Sequence, residues 1–424
     1  MKIYDFLKIG APFYLCTSVI LLPIQGTTPA FLQLFLIAAL IFIRPKHFSR
    51  EIYLFVTFVF SYILYVIISQ LIVFFSDFQP AYGLPVISKV YSTDAFQNVI
   101  FTQSIYLIPC FMAYLGFSRM SFNDGLRILK ISAMFLCFYG FYEVAHYIAL
   151  GSSGDFLTNR SYGNNVKGSG SLFQTISIGG FHFQRLASLT QEPSAFAYTI
   201  LPLAIIFGSV GLMKTTYTCI LALIFSTSGT FFFGSIIPIV YSFWGVVVKG
   251  ITTLKISRRN VFFLCALFLI LIVVFAVFSD GVRDLISKLV DKVSGDSISG
   301  QQRGGHFILS FSYWINELNI GLKLFGIGFG ITRPTNMLMF LLVNTGLFGL
   351  VFYIYFFMRP LFFLPNDRIA NGLKIALITH IFMSMASVPE FSILTSWSIL
   401  GLCYSYRKHF KDCNIETHIL SIEK

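Results

Sequence analysis

Apolar runs of about 20 residues follow one another along almost the whole chain, separated by short polar breaks. A helix of this length crosses the hydrocarbon core of a bilayer, where each backbone N–H and C=O group must be satisfied by the protein itself. The 424 residues are 56% hydrophobic and 11% charged, whereas a soluble domain carries about 25% charged residues. The sequence therefore predicts an all-α polytopic protein of a lipid bilayer, organised as a single integral membrane domain over residues 1–424.

The apolar runs and their breaks predict about twelve transmembrane helices. The predicted spans are roughly 9–26, 28–43, 51–75, 99–117, 127–150, 193–211, 215–228, 229–248, 261–278, 336–357, 371–388 and 391–406. Before the tenth span, apolar residues in 282–293 recur at helical spacing opposite a charged face, which predicts an amphipathic helix. Ser299 and Gln302 have the spacing of a capping box, so a second helix is expected to start there. The large loop before the tenth span is therefore expected to be partly helical.

Basic residues indicate the orientation of these spans. With the N-terminus inside, the predicted inner segments hold 20 of the 30 Lys and Arg residues and the outer segments hold 10. Short cytoplasmic loops are rich in Lys and Arg, so both termini are predicted to be cytoplasmic. The outer loops 76–98, 151–192 and 279–335 are long and form the candidate active-site region. The net charge of +12 is explained by this bias, and no nucleic-acid partner is expected.

The stretch RLASLTQEPSAF carries an arginine and a glutamate directly before a predicted membrane helix. Arg185 either extends its side chain to lipid headgroups or belongs to a functional site. Glu192 precedes Pro193, and proline is favoured at the first position of a helix. The carboxylate of Glu192 therefore either caps that helix or serves as a general base or an orienting group for a hydroxyl. Both residues are candidate catalytic residues.

Arg303 is the second candidate anion-binding arginine, because it is expected in the first turn of the helix after the capping box. Free N–H groups, the positive end of the helix dipole and a guanidinium together favour an anion. Two arginines from separate loops, Arg185 and Arg303, suit a diphosphate that must be held while it leaves. His306 and Arg333 are candidate substrate-binding residues, with structural hydrogen bonding as the alternative for the histidine.

Three further polar residues are candidates for substrate binding at the outer face. Asn336 begins the tenth span and is either a helix cap or part of the site. Glu390 lies in the short outer turn before the last span and is expected to face the same cavity as Arg185. Arg160 belongs to the stretch 151–180, which is rich in Gly, Ser and Asn and is expected to be a mobile loop.

Glu143 and His146 lie three residues apart in the fifth span, and they form either an internal polar pair or part of an ion pathway. No Cys or His spacing indicates zinc, and no DxD acidic pair lies in an outer loop, so neither a metal nor a cofactor is expected. The run GIGFG at 326–330 lacks the βαβ context of a dinucleotide fingerprint. It is expected to form a tight bend near a substrate.

Five stretches occur in a fixed order along the chain: QRLASLTQEPSAFAY, STSGT, QQRGGHFILS, FGIGFG and TNMLMFLLVNTGLFGLVFYIYFF. In this order they resemble the bacterial O-antigen polymerase and O-antigen ligase superfamily. The resemblance implies a GT-C-type glycosyltransferase of the inner membrane, acting at the periplasmic face on sugars linked to undecaprenyl pyrophosphate. It further implies a role in lipopolysaccharide biosynthesis, with a chain-length regulator and a flippase as partners.

The resemblance also assigns roles by position. It implies that Arg185 and Arg303 engage the diphosphate, that Glu192 is the acidic residue of the R…EP segment, and that Asn336 is the asparagine before the tenth span. Ligases of the superfamily usually carry histidine in an HxHN-like run, whereas this chain has RPTN at 333–336.

This departure favours a polymerase, which transfers a growing glycan from undecaprenyl pyrophosphate to a lipid-linked repeat unit. The alternatives are a ligase that transfers the polymer to lipid A–core, a flippase or secondary transporter, and a scaffold without catalytic activity. A transporter would depend on Glu143 and His146 and would tolerate the loss of Arg303.

Overall fold

The computed structural model describes residues 5–22, 27–43, 49–76, 84, 94–152, 154–159, 175–178, 181–190, 192–252, 298–387 and 390–422, with the backbone alone in 176–178, 181–182, 242–252, 298–303 and 411–422. The predicted span 261–278, the amphipathic helix 282–293, Arg160 and most of the loop 76–98 lie outside the described residues.

The described chain is mostly helical, with one two-stranded antiparallel sheet. In chain order the elements are α1 (Phe6–Ile9), α2 (Pro29–Ile43), α3 (Ser49–Phe75), α4 (Asn98–Ser104), α5 (Leu107–Arg119), α6 (Phe122–Leu150), β1 (Thr175–Ile178), β2 (Phe181–Gln184), α7 (Pro193–Val210), α8 (Met213–Ser226), α9 (Gly229–Thr252), α10 (Ile298–Ser312), α11 (Ile320–Phe325), α12 (Met337–Met358), α13 (Pro360–Phe363), α14 (Arg368–Ser387) and α15 (Leu394–Ile422). A large buried apolar cluster joins α2, α5, α6, α7, α14 and α15, and a second cluster surrounds α11 and the first half of α12.

Six helical stretches in the described residues are long and apolar enough to cross a membrane. They are α3, α4 with α5, α6, α7, α12 with α13, and α14. Three shorter apolar helices lie in α2, α8 and α9. The second to eighth and the tenth to twelfth predicted spans each overlap with described helices. The structure thus supports a multi-pass membrane protein, while the number of twelve spans and the GT-C topology stay predictions.

The first predicted span, 9–26, is not a continuous helix in its described part, residues 9–22. A single 3₁₀ turn covers Ala11–Phe13, and residues 14–22 are irregular. N–H groups of this stretch donate to the Oγ of Ser132 on α6 (2.9 Å) and to the carbonyl of Leu189 (2.9 and 3.1 Å). Irregular backbone is tolerated at membrane depth only where protein satisfies its polar groups, which is the case here. Hydrophobicity alone does not distinguish such a stretch from a helix.

Turn residues set the ends of the helices that lead to the candidate site. The Oγ of Ser121 accepts the N–H of Asp124 (3.1 Å) and caps the start of α6. Gly151 ends α6 in the left-handed region with φ 69°, where glycine has no Cβ penalty. Pro193 is the first residue of α7, and Gly211, with φ 92°, follows its last turn.

Helix α12 is broken in its middle at Gly346, which has φ 63° and ψ −171°. The loop that follows α11 packs against this break, and its Ile327 N–H donates to the carbonyl of Val343 (3.0 Å). A Cβ on Gly346 would lie 2.4 Å from the carbonyl carbon of Leu324, and a Cβ on Gly326 would lie 2.4 Å from that of Asn344. Gly346 lies at the break in α12, and Gly326 begins the bend at 326–330. The absence of a side chain at both positions allows the two stretches of backbone to approach each other closely.

One face of α3 supplies side chains to the carbonyl groups of the break and the bend. The contacts are from the Tyr65 hydroxyl to the carbonyls of Phe325 (3.1 Å) and Thr345, from Ser69 Oγ to Gly326 (3.0 Å) and from Gln70 Nε2 to Ile327 (3.1 Å). Non-helical backbone between membrane helices needs such partners, because unsatisfied carbonyls in lipid are costly. Helix α3 therefore stabilises the bend through hydrogen bonds as well as apolar packing.

Polar contacts mark two ends of the helix bundle. We call one of them the site end, because the candidate residues Arg185 and Glu192 lie there; it is formed by the end of α6, the start of α7 and the α8–α9 turn. The opposite end carries charged and polar contacts between Lys8 and Asp124 (3.0 Å), Arg119 and Glu51 (3.0 Å), and Arg368 and the Gly208 carbonyl (2.9 Å). These basic residues belong to predicted inner loops, and the sidedness of the membrane stays a prediction.

We predict that Gly346→Ala destabilises the protein by about 1–3 kcal/mol through its backbone conformation alone, and by more through the contact with Leu324. The melting temperature is measured as the temperature at which detergent-solubilised protein loses its monodisperse peak. Gly208→Ala is the matched control, because a Cβ there meets Thr216 at an ordinary 3.6 Å. Equal melting temperatures for Gly346→Ala and the unmodified protein would contradict the assigned break.

Candidate functional site

The hairpin formed by β1 and β2 leads directly into the stretch with Arg185. Its register pairs Thr175 with Gln184 and Ile178 with Phe181. The sequence signal for this hairpin is an alternation of polar and apolar residues on both sides of a Gly-Gly pair, a pattern typical of two-residue hairpins. The prediction of a mobile loop over 151–180 overlooked that pattern at its end.

Residues 185–192 form the segment that carries both candidate catalytic side chains, and we call it the 185–192 segment. Its described residues are non-helical apart from one 3₁₀ turn at Ser188–Thr190, and residues 186–190 are buried. The Leu186 N–H donates to the Phe225 carbonyl (3.1 Å) at the end of α8. On the other side, the Leu189 carbonyl accepts N–H groups from the irregular stretch near the N-terminus. The segment is thus inserted between separate parts of the chain.

The guanidinium of Arg185 is held at the α8–α9 turn. Its Nε lies 3.2 Å from the Ser226 carbonyl and 2.9 Å from the Thr227 Oγ1, and its Nη2 donates to the Thr227 carbonyl (3.2 Å). Thr227 has φ 44° and ends α8, as expected from the turn residues of STSGT. These contacts are with protein groups, and they fix the orientation of a half-buried cation at the site end.

Glu192 occupies the N-cap position of α7 with extended backbone, φ −141° and ψ 153°. In the described part of this helix, its carboxylate makes no capping bond to the first-turn N–H groups. It instead accepts a hydrogen bond from the Ser194 hydroxyl (3.0 Å) at Oε2. Its backbone thus occupies the capping position, while its side chain does not make the usual hydrogen bond of a cap.

Two buried polar atoms near Arg185 have no hydrogen-bond partner among the described residues. They are the Oε1 of Gln184, which is 2% exposed, and the Oγ of Ser188, which is 5% exposed. Buried polar atoms are usually paired, and unpaired ones therefore need an explanation. Both flank the candidate arginine, and sequence reasoning missed them because nothing in their residue type indicates burial.

Arg333 and Glu390 form an ion pair at 2.9 Å between Nη2 and Oε2. The Ser392 hydroxyl donates to the other carboxylate oxygen. The side chains are 55% and 29% exposed, respectively, so the pair remains accessible to solvent. The expectation that Glu390 faces the same cavity as Arg185 stays a prediction.

Asn336 is the N-cap of α12, because its Oδ1 accepts the Met339 N–H (2.9 Å). This observation confirms the alternative in which Asn336 caps the tenth predicted span. Nearby, the Asn344 side chain accepts the N–H of Thr332 (2.8 Å) and donates to its carbonyl (2.8 Å). The buried Asn344 was not a sequence candidate, although an asparagine within an apolar helix is a signal of a polar contact.

Arg303 lies on α10, in the part of this helix for which the structure describes the backbone alone. The helix is described from Ile298, so Ser299 lies within it, and the expected capping box is wrong. Arg303 is the sixth described residue of α10 and therefore lies beyond its first turn. Its expected place in the first turn is therefore also wrong, and the argument from free N–H groups at a helix start does not apply. His306 follows three residues later and is half-buried.

Glu143 and His146 contact different parts of the chain. The Glu143 carboxylate accepts the Ser188 N–H (3.0 Å), whereas the His146 Nδ1 lies 2.9 Å from the Ser152 carbonyl. The idea of an internal polar pair is therefore replaced by two separate contacts. Within the described residues, no group of three His, Cys, Asp or Glu side chains is arranged to hold a metal ion, and the metal-independence of the site stays a prediction.

Comparisons with known proteins give no match: no family model, no curated protein and no solved structure is similar to this chain at the significance required. The class that the structure supports is therefore a multi-pass, mostly helical membrane protein. Any narrower assignment depends on the sequence resemblance and on the geometry of the 185–192 segment.

We predict that the Arg333–Glu390 pair contributes less than about 1 kcal/mol to stability, because exposed ion pairs are weak. A double-mutant cycle with Arg333→Ala and Glu390→Ala, read by thermal unfolding in detergent, measures the coupling. A coupling above about 2 kcal/mol would contradict the exposed geometry. If stability is unaffected, loss of activity in either variant indicates a role in substrate binding, as predicted from the sequence.

Proposed function

We propose that this chain is a surface-polysaccharide polymerase of the O-antigen type, which joins lipid-linked repeat units at the outer face of the bacterial inner membrane. The main support is the 185–192 segment, which is irregular apart from one 3₁₀ turn, is buried at residues 186–190, and carries an arginine and a glutamate before a membrane helix. Charged groups and irregular backbone are costly between membrane helices and are retained mainly at functional sites. The substrate class, lipid-linked sugars, is inferred from the order of the sequence motifs.

In the proposed reaction, the donor is a growing glycan on undecaprenyl pyrophosphate and the acceptor is a sugar hydroxyl of a new lipid-linked repeat. The hydroxyl oxygen forms a bond to the anomeric carbon of the donor while the bond from that carbon to the diphosphate oxygen breaks. Negative charge grows on the departing diphosphate, so a fixed guanidinium stabilises the transition state more than the ground state. Arg185 and Arg303 are proposed to serve this role.

Glu192 is the proposed acceptor of the hydroxyl proton. Its carboxylate is not used as a helix cap within the described part of α7, and a carboxylate within hydrogen-bond reach of the acceptor acts as a general base. His306, Arg333, Glu390 and Arg160 are proposed to bind the oligosaccharide. Neither a metal nor a cofactor has a role in the proposed step.

We predict that Arg185→Ala and Arg303→Ala each lower the polymerisation rate by about 10²–10³-fold, as for the loss of other charge-stabilising donors. The assay uses purified protein with a defined undecaprenyl-pyrophosphate-linked repeat and measures the glycan ladder, with and without a chelator. Arg368→Ala is the matched control, because Arg368 also donates to a backbone carbonyl but lies at the opposite end of the bundle. Melting temperatures show which variants remain folded, and Arg185→Lys retains a cation if Arg185→Ala does not fold.

More than half of the normal polymer in cells with Arg303→Ala would contradict the proposed role of that arginine. Cell phenotypes distinguish the ligase: loss of a polymerase leaves lipid A–core with one repeat, whereas loss of a ligase leaves bare core. Movement of the lipid-linked substrate across the membrane without a glycan ladder would instead support a flippase.

A further inference from the structure

Ser188 adopts an unusual backbone conformation inside the 185–192 segment. Its φ of 53° lies in the left-handed region, which residues with a Cβ rarely adopt and which costs free energy. The next residue, Leu189, has φ −82° and ψ 31°. Such a conformation persists only where neighbouring groups hold it.

The side chain of Glu143 on α6 contacts this residue. Its Oε2 accepts the Ser188 N–H at 3.0 Å, and the side chain is only 3% exposed. A carboxyl oxygen accepts such a hydrogen bond in either protonation state, so the contact does not depend on the charge of Glu143. A buried carboxylate within a membrane helix is costly and is usually retained for function, and this contact gives it a defined partner.

A second residue on the same face of α6 accommodates the segment. Gly140 lies one turn before Glu143, and residues three apart lie on one face of a helix. A Cβ on Gly140 would lie 2.5 Å from the Leu186 side chain, so the absence of a side chain there allows Leu186 to pack closely. Helix α6 therefore contacts the segment at two points, Leu186 and Ser188, which lie between Arg185 and Glu192.

We infer that Glu143 is a positioning residue for the site: it fixes the Ser188 turn and thereby sets the relative orientation of the Arg185 guanidinium and the Glu192 carboxylate. This inference rests on the proposed function, because it assigns Glu143 a role in the geometry of that reaction. Glu143 itself is not expected to contact the substrate or to exchange a proton with it. Its contribution is a hydrogen-bond acceptor at the correct distance from the Ser188 N–H.

Three substitutions separate reach from charge. Glu143→Gln keeps the length and an acceptor oxygen but cannot ionise, and it is expected to retain at least about one fifth of the polymerisation rate, because the hydrogen bond to the Ser188 N–H can still form. Glu143→Asp keeps the carboxyl group but moves the acceptor back by about 1.5 Å, one carbon–carbon bond. Glu143→Leu removes the acceptor. Glu143→Asp and Glu143→Leu are each expected to lower the polymerisation rate about 10- to 100-fold, as small displacements of catalytic groups do.

Hydrogen exchange gives a readout that does not depend on activity. Amide exchange of the peptide that contains residues 185–190 is expected to rise in Glu143→Asp and Glu143→Leu and to stay near its original rate in Glu143→Gln. His146→Ala is the matched control on the same helix, because His146 contacts Ser152 and is expected to leave this peptide unchanged. Ser188→Gly, which favours the left-handed conformation, is expected to restore part of the activity of Glu143→Leu.

The opposite pattern would overturn the inference. An active Glu143→Asp with an inactive Glu143→Gln would show that the charge matters, as in proton transfer or transport. Unchanged exchange and activity in Glu143→Leu would show that the contact does not hold the segment. If the unmodified protein forms no glycan ladder, the proposed polymerase fails, and exchange in the three variants still decides whether Glu143 fixes the Ser188 turn.

Discussion

The need to satisfy backbone hydrogen bonds away from water governs this structure. Helices meet that need internally, but several described stretches do not form α-helix, among them residues 14–22, the 185–192 segment and the bend at 326–330. Each is held by hydrogen bonds from other elements. The polar side chains on α3 and α6 are thus explained by the irregular backbone beside them.

The candidate site follows from this arrangement. Because the 185–192 segment is not a helix, it can present side chains that a regular helix would distribute around its axis, and it places Arg185 at the α8–α9 turn and Glu192 at the start of α7. The anchors come from α6, the end of α8 and the N-terminal stretch. A site built in this way is positioned by neighbouring helices and does not depend on the stability of one loop.

Much of the fold is accessible from the sequence, because long apolar runs have one structural solution in a bilayer. The spans that became α3, α6, α7 and α14 illustrate this, and the turn at STSGT and the cap at Asn336 follow from local residue preferences. The span 9–26 shows the limit, since an apolar run buried in protein can satisfy its N–H groups through partners such as Ser132, which only the tertiary structure supplies.

For the candidate site, the sequence indicates the chemical groups but not their neighbours. Arg185 and Glu192 stand out by charge, whereas the contact between Glu143 and Ser188 joins residues 45 positions apart and leaves no local pattern. Arg303 shows the reverse error: a local spacing suggested a helix start, but α10 is already formed at Ile298. Short motifs for helix starts are ambiguous by a turn or more where polar residues recur.

Helix α3 combines two unequal faces. Only 22% of its most apolar stretch is buried against the described residues, yet Tyr65, Ser69 and Gln70 all contact carbonyl groups of the bend or next to it. Lipid accepts many apolar side chains, so positions of α3 that face it are less restricted in residue type than the three inward polar positions. Proteins of common descent with this chain would then share little overall identity in this helix while keeping its inward polar triplet, which makes the spacing of those three residues a more durable mark of ancestry than the hydrophobic sequence around them.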